Sequence, residues 1–285
     1  MRIWPLVALV LFAMRSPLAL ADRDPNSGAP LPPSKHPKTT SPITDHFYIR
    51  ASYFPPQFRT TLRIDPSHAP AGVTGTSLNG ENDLGLPQRM HQGRVDMMFR
   101  MRERSKVRID YFGADRSGSR TIPNEVVLGN TTFAAGSTLQ NTLNFEMGDI
   151  TYTYSFYKTD RFEIGTGVAL YLVEARLQAA VPSTFQSQTT TTAGPVPALP
   201  LDFTWAISSR FALTARAAYV RAIIDGTRGW FDDLHADAQY RFKPNFAIGI
   251  GYSSLHVNIT SASGDNPGAI AMSVSGPEAF IRFSF

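Results

Sequence analysis

The chain alternates apolar and polar residues at a period of two over most of its length. The stretch from Leu234 to Phe242 reads LHADAQYRF, which places its aliphatic and aromatic residues on one face and its polar and charged residues on the other. Residues 211–219 and 278–285 repeat the pattern. Successive side chains of a strand point to opposite sides, so this period predicts β-strands with one apolar and one polar face.

Ten segments carry this pattern, and the connections between them alternate in length. The predicted strands cover 46–64, 89–101, 106–118, 138–156, 161–178, 197–207, 210–224, 230–242, 245–260 and 270–285. Short connections lie at 102–105, 157–160, 208–209 and 243–244, and long ones lie at 65–88, 119–137, 179–196, 225–229 and 261–269. An even strand number with alternating short turns and long loops is typical of membrane-spanning barrels. The predicted fold class is all-β: a transmembrane, antiparallel, up-and-down β-barrel of about ten strands.

The first 45 residues lack this pattern and predict two different segments. Arg2, the apolar run Ile3–Met14 and the small-residue motif ALA at 19–21 are typical of a secretory signal peptide cleaved after Ala21. The alternative, a membrane-anchor helix, is disfavoured because the 12-residue run spans only about 18 Å of a hydrocarbon core of roughly 30 Å. Residues 22–45 contain six prolines and few apolar residues, which predicts a flexible leader before a barrel domain at 46–285.

Composition narrows the classes of function. The formal net charge is +4, but loss of Arg2 and Arg15 with the signal peptide would leave 25 basic and 23 acidic residues, so no nucleic-acid partner is indicated. The chain has no cysteine, which excludes a thiol nucleophile, a thiolate metal site and disulfides. We find no glycine-rich phosphate loop and no zinc-ligand spacing, and therefore expect neither a cofactor nor a metal.

Aromatic residues distinguish a membrane barrel from a soluble β-sandwich, which has the same periodicity. One group lies at or near the short turns: Phe162, Trp205, Phe211, Phe242 and Phe246. A second group lies about six to nine residues further along each strand: Tyr53, Tyr111, Tyr171, Tyr219, Trp230 and Tyr252. Two such rings, separated by an apolar band, are typical of the interfacial girdles of outer-membrane barrels.

Several stretches resemble a known family. The ending FIRFSF at 280–285 resembles the terminal strand of Gram-negative outer-membrane proteins, whose final aromatic residue, here Phe285, is read by the barrel-assembly machinery. DLGL at 83–86, YTYSF at 152–156 and HADAQYR at 235–241 resemble a poorly characterised group of outer-membrane β-barrel domain proteins. The resemblance covers 46–285. It implies the outer membrane as location, lipid and lipopolysaccharide as surroundings, and the assembly machinery as a transient partner, but it implies no activity or oligomeric state.

The faces that point into the predicted barrel carry charges of both signs. They are Arg50, Arg94, Asp96, Arg100, Arg108, Asp110, Glu163, Asp202, Arg216, His235, Asp237, Arg241, Glu278 and Arg282. A barrel of about eight strands is just filled by side chains and open porins need roughly 16, so about ten strands predict a lumen closed by ion pairs. A narrow passage in which these charges select ions or small solutes is the alternative.

An enzymatic function is the third interpretation. Ten-stranded barrels include the omptin proteases, and Asp233 and His235 lie two residues apart near the outer end of the eighth predicted strand, where such a pair can act as a general base. Ser254 and His256 form a similar pair without an identifiable carboxylate partner. The predicted function is nevertheless non-enzymatic: a structural or adhesin-like surface-interaction barrel. Its surface loops would include a mobile stretch at 186–192 and a hairpin at 126–133 that rises above the membrane.

Overall fold

The computed structural model describes residues 41–67, 73–224, 227–261 and 267–285. The predicted signal peptide and residues 22–40 of the predicted leader lie outside the described residues. The strands are β1 (Phe47–Phe54), β2 (Gln57–Ile64), β3 (Leu78–Asn79), β4 (Gln92–Arg102), β5 (Ser105–Thr121), β6 (Val126–Leu128), β7 (Thr131–Phe133), β8 (Thr138–Lys158), β9 (Phe162–Val181), β10 (Gln186–Ala206), β11 (Phe211–Ile224), β12 (Thr227–Lys243), β13 (Phe246–Ser261) and β14 (Gly268–Ser284). Within these ranges, no helix is long and apolar enough to cross a membrane.

The main sheet closes on itself as an antiparallel barrel. Neighbouring strands follow the order β1-β4-β5-β8-β9-β10-β11-β12-β13-β14, and β14 pairs with β1 to complete the ring. Pro55 and Pro56 interrupt the first strand of the barrel, so that β14 pairs with β1 through residues 279–284 and with β2 through residues 268–275. If β1 and β2 are taken as one interrupted strand, the barrel has ten strands, which confirms the predicted fold class.

The stretch 186–192 is not the mobile loop that its low complexity predicts. It forms the first part of β10, which pairs residue by residue with β9 from Gln186↔Val181 to Ala198↔Ala169. Threonine is β-branched and favours extended backbone, so a run of four threonines is compatible with a strand. The actual connection is the short turn Pro182–Thr184 followed by Phe185, whose φ is 55°.

The hairpin predicted at 126–133 exists, but it does not rise away from the barrel. Strands β6 and β7 pair with each other, and Val126, Leu128 and Phe133 are buried. They pack in an apolar cluster with Leu62 and Leu177, which come from β2 and β9. Burying these apolar side chains is favourable, so the hairpin folds against the end of the barrel that carries the long loops.

Residues 41–45, which the sequence pattern assigns to the leader, are ordered in the described structure, with Ser41, Ile43 and Asp45 buried and Thr44 exposed. Ser41 to Thr44 form a turn in which the Thr44 amide donates to the Ser41 carbonyl at 3.0 Å. Ile43 and Asp45 are almost fully buried. This segment fills the opening at the end of the barrel that carries the short turns, which we call the turn end.

The outer surface is apolar across its middle. Ile150, Val168, Leu201, Leu234 and Ile250 are among the large apolar side chains that are exposed there. At the turn end the Phe162 and Trp205 rings stack at 5.6 Å, and the Phe246 ring contacts the rings of Phe242 and Phe283.

The second predicted aromatic ring is largely exposed on the outer surface, with one exception. Tyr171 is buried inside the barrel and contacts the Phe231 ring at 4.5 Å. Its position in β9 has inward parity, so its assignment to the outer ring is wrong.

The interior has two zones stacked along the barrel axis. Charged side chains fill the half near the turn end. Towards the long loops the inward positions become apolar, with Phe54, Phe58, Phe112, Phe145 and Met272 in one buried cluster. The sequence pattern did not predict this second zone.

Candidate functional site

The site with the most chemistry is the charged half of the barrel interior, which we call the charged zone. Its basic side chains are Arg50, Arg94, Arg100, Lys106, Arg108, Arg216, Arg241 and Arg282. Its acidic side chains are Asp45, Asp96, Asp110, Asp149, Glu163, Asp202, Asp233, Asp237 and Glu278. All fourteen residues predicted to point into the barrel, including Glu163, Asp202 and His235, lie in this half of the interior. The two signs nearly balance among the described residues.

The centre of the charged zone is built around Arg50 on β1. Its Nε donates to the Asp96 carboxylate on β4, and its Nη1 donates to Asp237 Oδ2 on β12 at 2.9 Å. Asp96 in turn faces Arg216 on β11, with Nη1 and Oδ1 3.9 Å apart. Since β4 and β11 are five strands apart in the ring in either direction, this ion pair spans the full width of the lumen.

Next to Arg50 lies a cluster of His235, Asp237 and Glu278, whose potential ligand atoms are within 4.8 Å of one another. His235 Nε2 is 3.2 Å from Asp237 Oδ2 and 3.0 Å from Glu278 Oε1. The Arg50 guanidinium already approaches the same atoms, with Nη2 2.9 Å from His235 Nε2. A fixed guanidinium supplies the positive charge here and would repel a metal ion at the same place.

A second arginine cluster lies closer to the apolar zone. Arg94 Nε donates to both oxygens of Asp110, at 2.8 and 2.9 Å. Its Nη1 donates to Ser253 Oγ at 3.0 Å, and its Nη2 lies 3.7 Å from Asp233. Strands β4, β5, β12 and β13 are thereby connected through one side chain, which fixes their distance across the lumen.

Towards the turn end, one ion pair is bidentate and one carboxylate is shared by two basic side chains. Arg100 donates to both oxygens of Glu163, at 2.7 and 2.9 Å. Asp202 Oδ2 lies 3.3 Å from Lys106 Nζ and 3.3 Å from Arg108 Nη1. Bidentate guanidinium–carboxylate pairs have fixed geometry, which offsets part of the cost of removing the charges from water.

Asp45 closes the turn end of the charged zone. Its Oδ2 accepts from Arg241 Nη2 at 2.6 Å and from Arg282 Nη2 at 2.7 Å. Its Oδ1 accepts from Arg241 Nη1 at 3.0 Å, and its carbonyl accepts from Arg100 Nε at 3.1 Å. A residue assigned to the flexible leader is therefore the shared anion of two lumen arginines.

Little free volume remains in the charged zone. A cavity among Arg94, Asp110 and Tyr171 measures about 10 Å³, and another beside Tyr48 and Lys106 measures about 40 Å³. A cavity needs roughly 10–15 Å³ to hold one water molecule. These two cavities thus leave room for about one and about three waters, respectively, but not for a solute of ordinary size.

The candidate catalytic pair does not lie at an exposed mouth. His235 is almost fully buried at the centre of the charged zone, and its Nδ1 lies 2.8 Å from Ser253 Oγ. Asp233 accepts from the Tyr171 hydroxyl at 3.3 Å. The pair Ser254 and His256 points to the outside of the wall instead, and the carboxylate missing from the sequence argument is Asp232, 2.9 Å from His256 Nδ1.

Four charged residues of the interior escaped the sequence argument besides Asp45. Lys106 in β5 and Asp149 in β8 occupy inward-facing positions of the alternating pattern. The same period of two that identified the other inward residues therefore also indicates these two. Arg116 and Glu81 form a 2.7 Å ion pair within the apolar zone, where Arg116 Nη2 also donates to Thr60. Glu81 lies outside the strands, so no periodicity indicates its position.

The chain terminus is part of the barrel seam. The Phe285 amide donates to the Phe47 carbonyl at 2.8 Å, and the Phe285 carbonyl accepts from the His46 and Phe47 amides. The Phe285 side chain is exposed. The terminal aromatic residue is therefore presented on the outer surface at the turn end.

Comparison with known proteins identifies the class of fold. No known protein family matches the sequence, and no curated protein matches it. Among solved structures, the outer-membrane protease OmpT of Escherichia coli has a TM-score of 0.55 at 9% identity, over 87% of this chain and 100% of that chain. The attachment invasion locus protein Ail of Yersinia pestis has a TM-score of 0.32 at 8% identity, over 83% and 99% of the two chains. The P. putida toluene transporter TodX has a TM-score of 0.33 at 8% identity, over 88% and 92%.

The structural likeness to OmpT shows a shared fold and nothing finer. The chain has the fold of an outer-membrane β-barrel, and more particularly it is a ten-stranded barrel with buried ion pairs in its interior.

Proposed function

We propose that this protein resides in the outer membrane of a Gram-negative bacterium as a non-conducting barrel with a structural or surface-interaction role. Lipid and lipopolysaccharide would surround its apolar outer band, and the exposed Phe285 would serve the assembly machinery, as the family resemblance implies. Ion pairs close the lumen, and the long loops at the opposite end from the turns face the cell exterior.

The observation that carries this proposal is the Asp96–Arg216 pair across the full width of the barrel. A conducting pore lined by charges keeps a water-filled path between them. Here the opposite charges approach each other, and the cavities beside them hold about 10 and 40 Å³. The near balance of basic and acidic residues also differs from the excess of one sign that selects ions by charge.

The test is the current across a planar bilayer that contains the refolded chain from residue 22 onwards. We expect no discrete steps from the parent chain after its insertion has been verified. The double variant Asp96→Ala/Arg216→Ala removes both members of the pair and leaves Arg50 its contact with Asp237, so we expect small steps from it. Reproducible steps from the parent chain, with an ion selectivity that Arg216→Ala changes, would instead establish the narrow passage.

The hydrolase interpretation has a separate test. The refolded chain is incubated with peptides and with lipopolysaccharide, and the products are analysed by mass spectrometry. We expect unchanged substrates, because His235 is enclosed and bonded to Ser253. Cleavage by the parent chain that disappears in His235→Ala would contradict a non-enzymatic role.

A further inference from the structure

A large cavity lies in the apolar zone, towards the long loops. Its volume is about 420 Å³, within the range of roughly 300–1,000 Å³ of ligand-binding pockets. The lining comes from most of the barrel strands and is dominated by apolar side chains, including Phe145, Val173, Ala175, Phe231 and Val257. A pocket of this composition favours a hydrocarbon over a polar solute.

The barrel wall is open beside this cavity. Pairing between β10 and β11 ends at Leu199↔Tyr219. Beyond that point β10 continues to Gln186 paired with β9 alone, while β11 continues to Ile224 paired with β12 alone. Between these two stretches of the described chain, no backbone pairing joins the wall.

The sequence of β10 is compatible with an open wall at this position. Pro195 and Pro197 lie just beyond the last paired residue and both line the cavity, as does Val220 on the opposite edge. Proline has no amide hydrogen to donate to a neighbouring strand, and within sheets it is found at edges. An unpaired edge is compatible with these prolines, and residues from both sides of the gap line the cavity.

The gap begins at the level of the second aromatic ring. Tyr219 is exposed on the outer surface at the β11 edge of the gap, and Trp230 is exposed on β12, one strand further away; such residues lie at the membrane–water interface. Arg221 on β11 is the register partner of Trp230 on β12. Arg228 lies two residues before Trp230 on the same face of β12. Both arginines are exposed. The outer entrance of the gap therefore combines interfacial aromatic residues with two positive charges.

We propose that this cavity binds the hydrocarbon chain of a single-chain anionic amphiphile of the fatty-acid class, which enters through the gap from the outer leaflet. The chain occupies the apolar cavity, and the anionic head stays at the rim near Arg221 and Arg228. The charged zone below closes the barrel, so the ligand is held and does not pass through. The site rests on the proposed membrane placement, whereas binding itself does not depend on whether the lumen conducts.

The experiment uses Trp230, which is a lining residue of the cavity and is also exposed on the outer side of β12, the strand next to the gap edge β11. The chain from residue 22 onwards contains only Trp205 and Trp230, so Trp205→Phe leaves a single tryptophan. This parent variant is refolded into nanodiscs of saturated phospholipid and titrated with a palmitic acid brominated at mid-chain, since bromine quenches tryptophan on contact. We expect saturable quenching, in addition to a linear component from probe dissolved in the bilayer.

Two matched glycine variants separate the cavity from the bilayer. A Cβ added at Gly194, which lines the cavity, meets no atom within 4 Å, so Gly194→Phe places its ring in the cavity. Gly93 on β4 also has open space around an added Cβ, but it does not line this cavity. We expect saturable quenching to weaken at least about tenfold in Gly194→Phe and to stay unchanged in Gly93→Phe. Equal quenching in parent, Gly194→Phe and Gly93→Phe would overturn the proposal.

Folding and head-group chemistry have their own controls. Each variant is first checked for the folded band in SDS gels, and Ala175→Phe replaces Gly194→Phe if the latter does not fold. The corresponding brominated alcohol tests the role of the anionic head. We expect the double variant Arg221→Gln/Arg228→Gln to weaken binding of the acid and to leave binding of the alcohol unchanged. Equal affinity of the parent for acid and alcohol would overturn the role of the arginines. Bilayer currents from the parent chain would refute the closed lumen while leaving the quenching result intact.

Discussion

Replacement of Asp45 by alanine is expected to destabilise the barrel strongly. Asp45 is the shared carboxylate of Arg241 and Arg282, at 2.6 and 2.7 Å, and the side chains of all three residues are 7% exposed or less. Removing one partner of a buried ion pair costs about 3–5 kcal/mol, because the remaining charge stays buried without compensation. Two arginines are affected here, so we expect the free energy of unfolding to fall by an amount in this range.

The assay is urea unfolding of the chain refolded in lipid vesicles, followed by tryptophan fluorescence. Asp45→Asn keeps an acceptor oxygen and loses the charge, so its free energy of unfolding should lie between those of the parent and the alanine variant. Asp160→Ala, in the exposed turn before β9, serves as the control and should change stability by less than about 0.5 kcal/mol. If Asp45→Ala is as stable as Asp160→Ala, then Asp45 does not compensate these arginines and the leader ends where the sequence pattern placed it.

Three further predictions concern the wall and its assembly. The folded protein should migrate differently from the boiled protein in SDS gels and fractionate with outer membranes; a soluble chain without a band shift would refute the membrane placement. Gly249→Leu should lower stability by about 1–3 kcal/mol in urea unfolding, because a side chain there overlaps the inward-facing Phe280 ring; an unchanged midpoint would contradict this close contact. Phe285→Ala should reduce the folded fraction recovered from cells and leave refolding from urea in vitro unchanged; equal losses in both would assign Phe285 a purely structural role.

The ten strands and the inward charged positions could be predicted because a strand has a fixed period. Once Leu234 and Ala236 face outward, His235 and Asp237 must face inward, whatever their partners are. The ion-pair partners could not be predicted in the same way. Arg50 and Asp237 are 187 positions apart, and their contact depends on the register of every strand between them.

Local composition misleads where tertiary contacts override it. The threonine run after Gln186 is polar and repetitive, which is typical of loops, yet β9 provides a pairing edge along its whole length. Asp45 follows a proline-rich segment, and its order comes from distant partners, the arginines of β12 and β14 on its carboxylate and Arg100 of β4 on its carbonyl. The apolar zone escaped notice because apolar residues such as Phe112 and Phe145 occupy inward positions, next to strands whose outward face is apolar too.

The contacts of Asp45 also bear on the order of assembly. The first buried carboxylate of the described chain finds its partners on β12 and β14, which are made last. Before those strands arrive, the Asp45 carboxylate lacks Arg241 and Arg282 and keeps its hydration water, which opposes its transfer into a low-dielectric interior. Closure of the ring and dehydration of the interior are therefore coupled events. An incomplete barrel is held back at the aqueous side of the membrane by its own unpaired charges, and only a chain complete to its C-terminal strand can insert without that penalty.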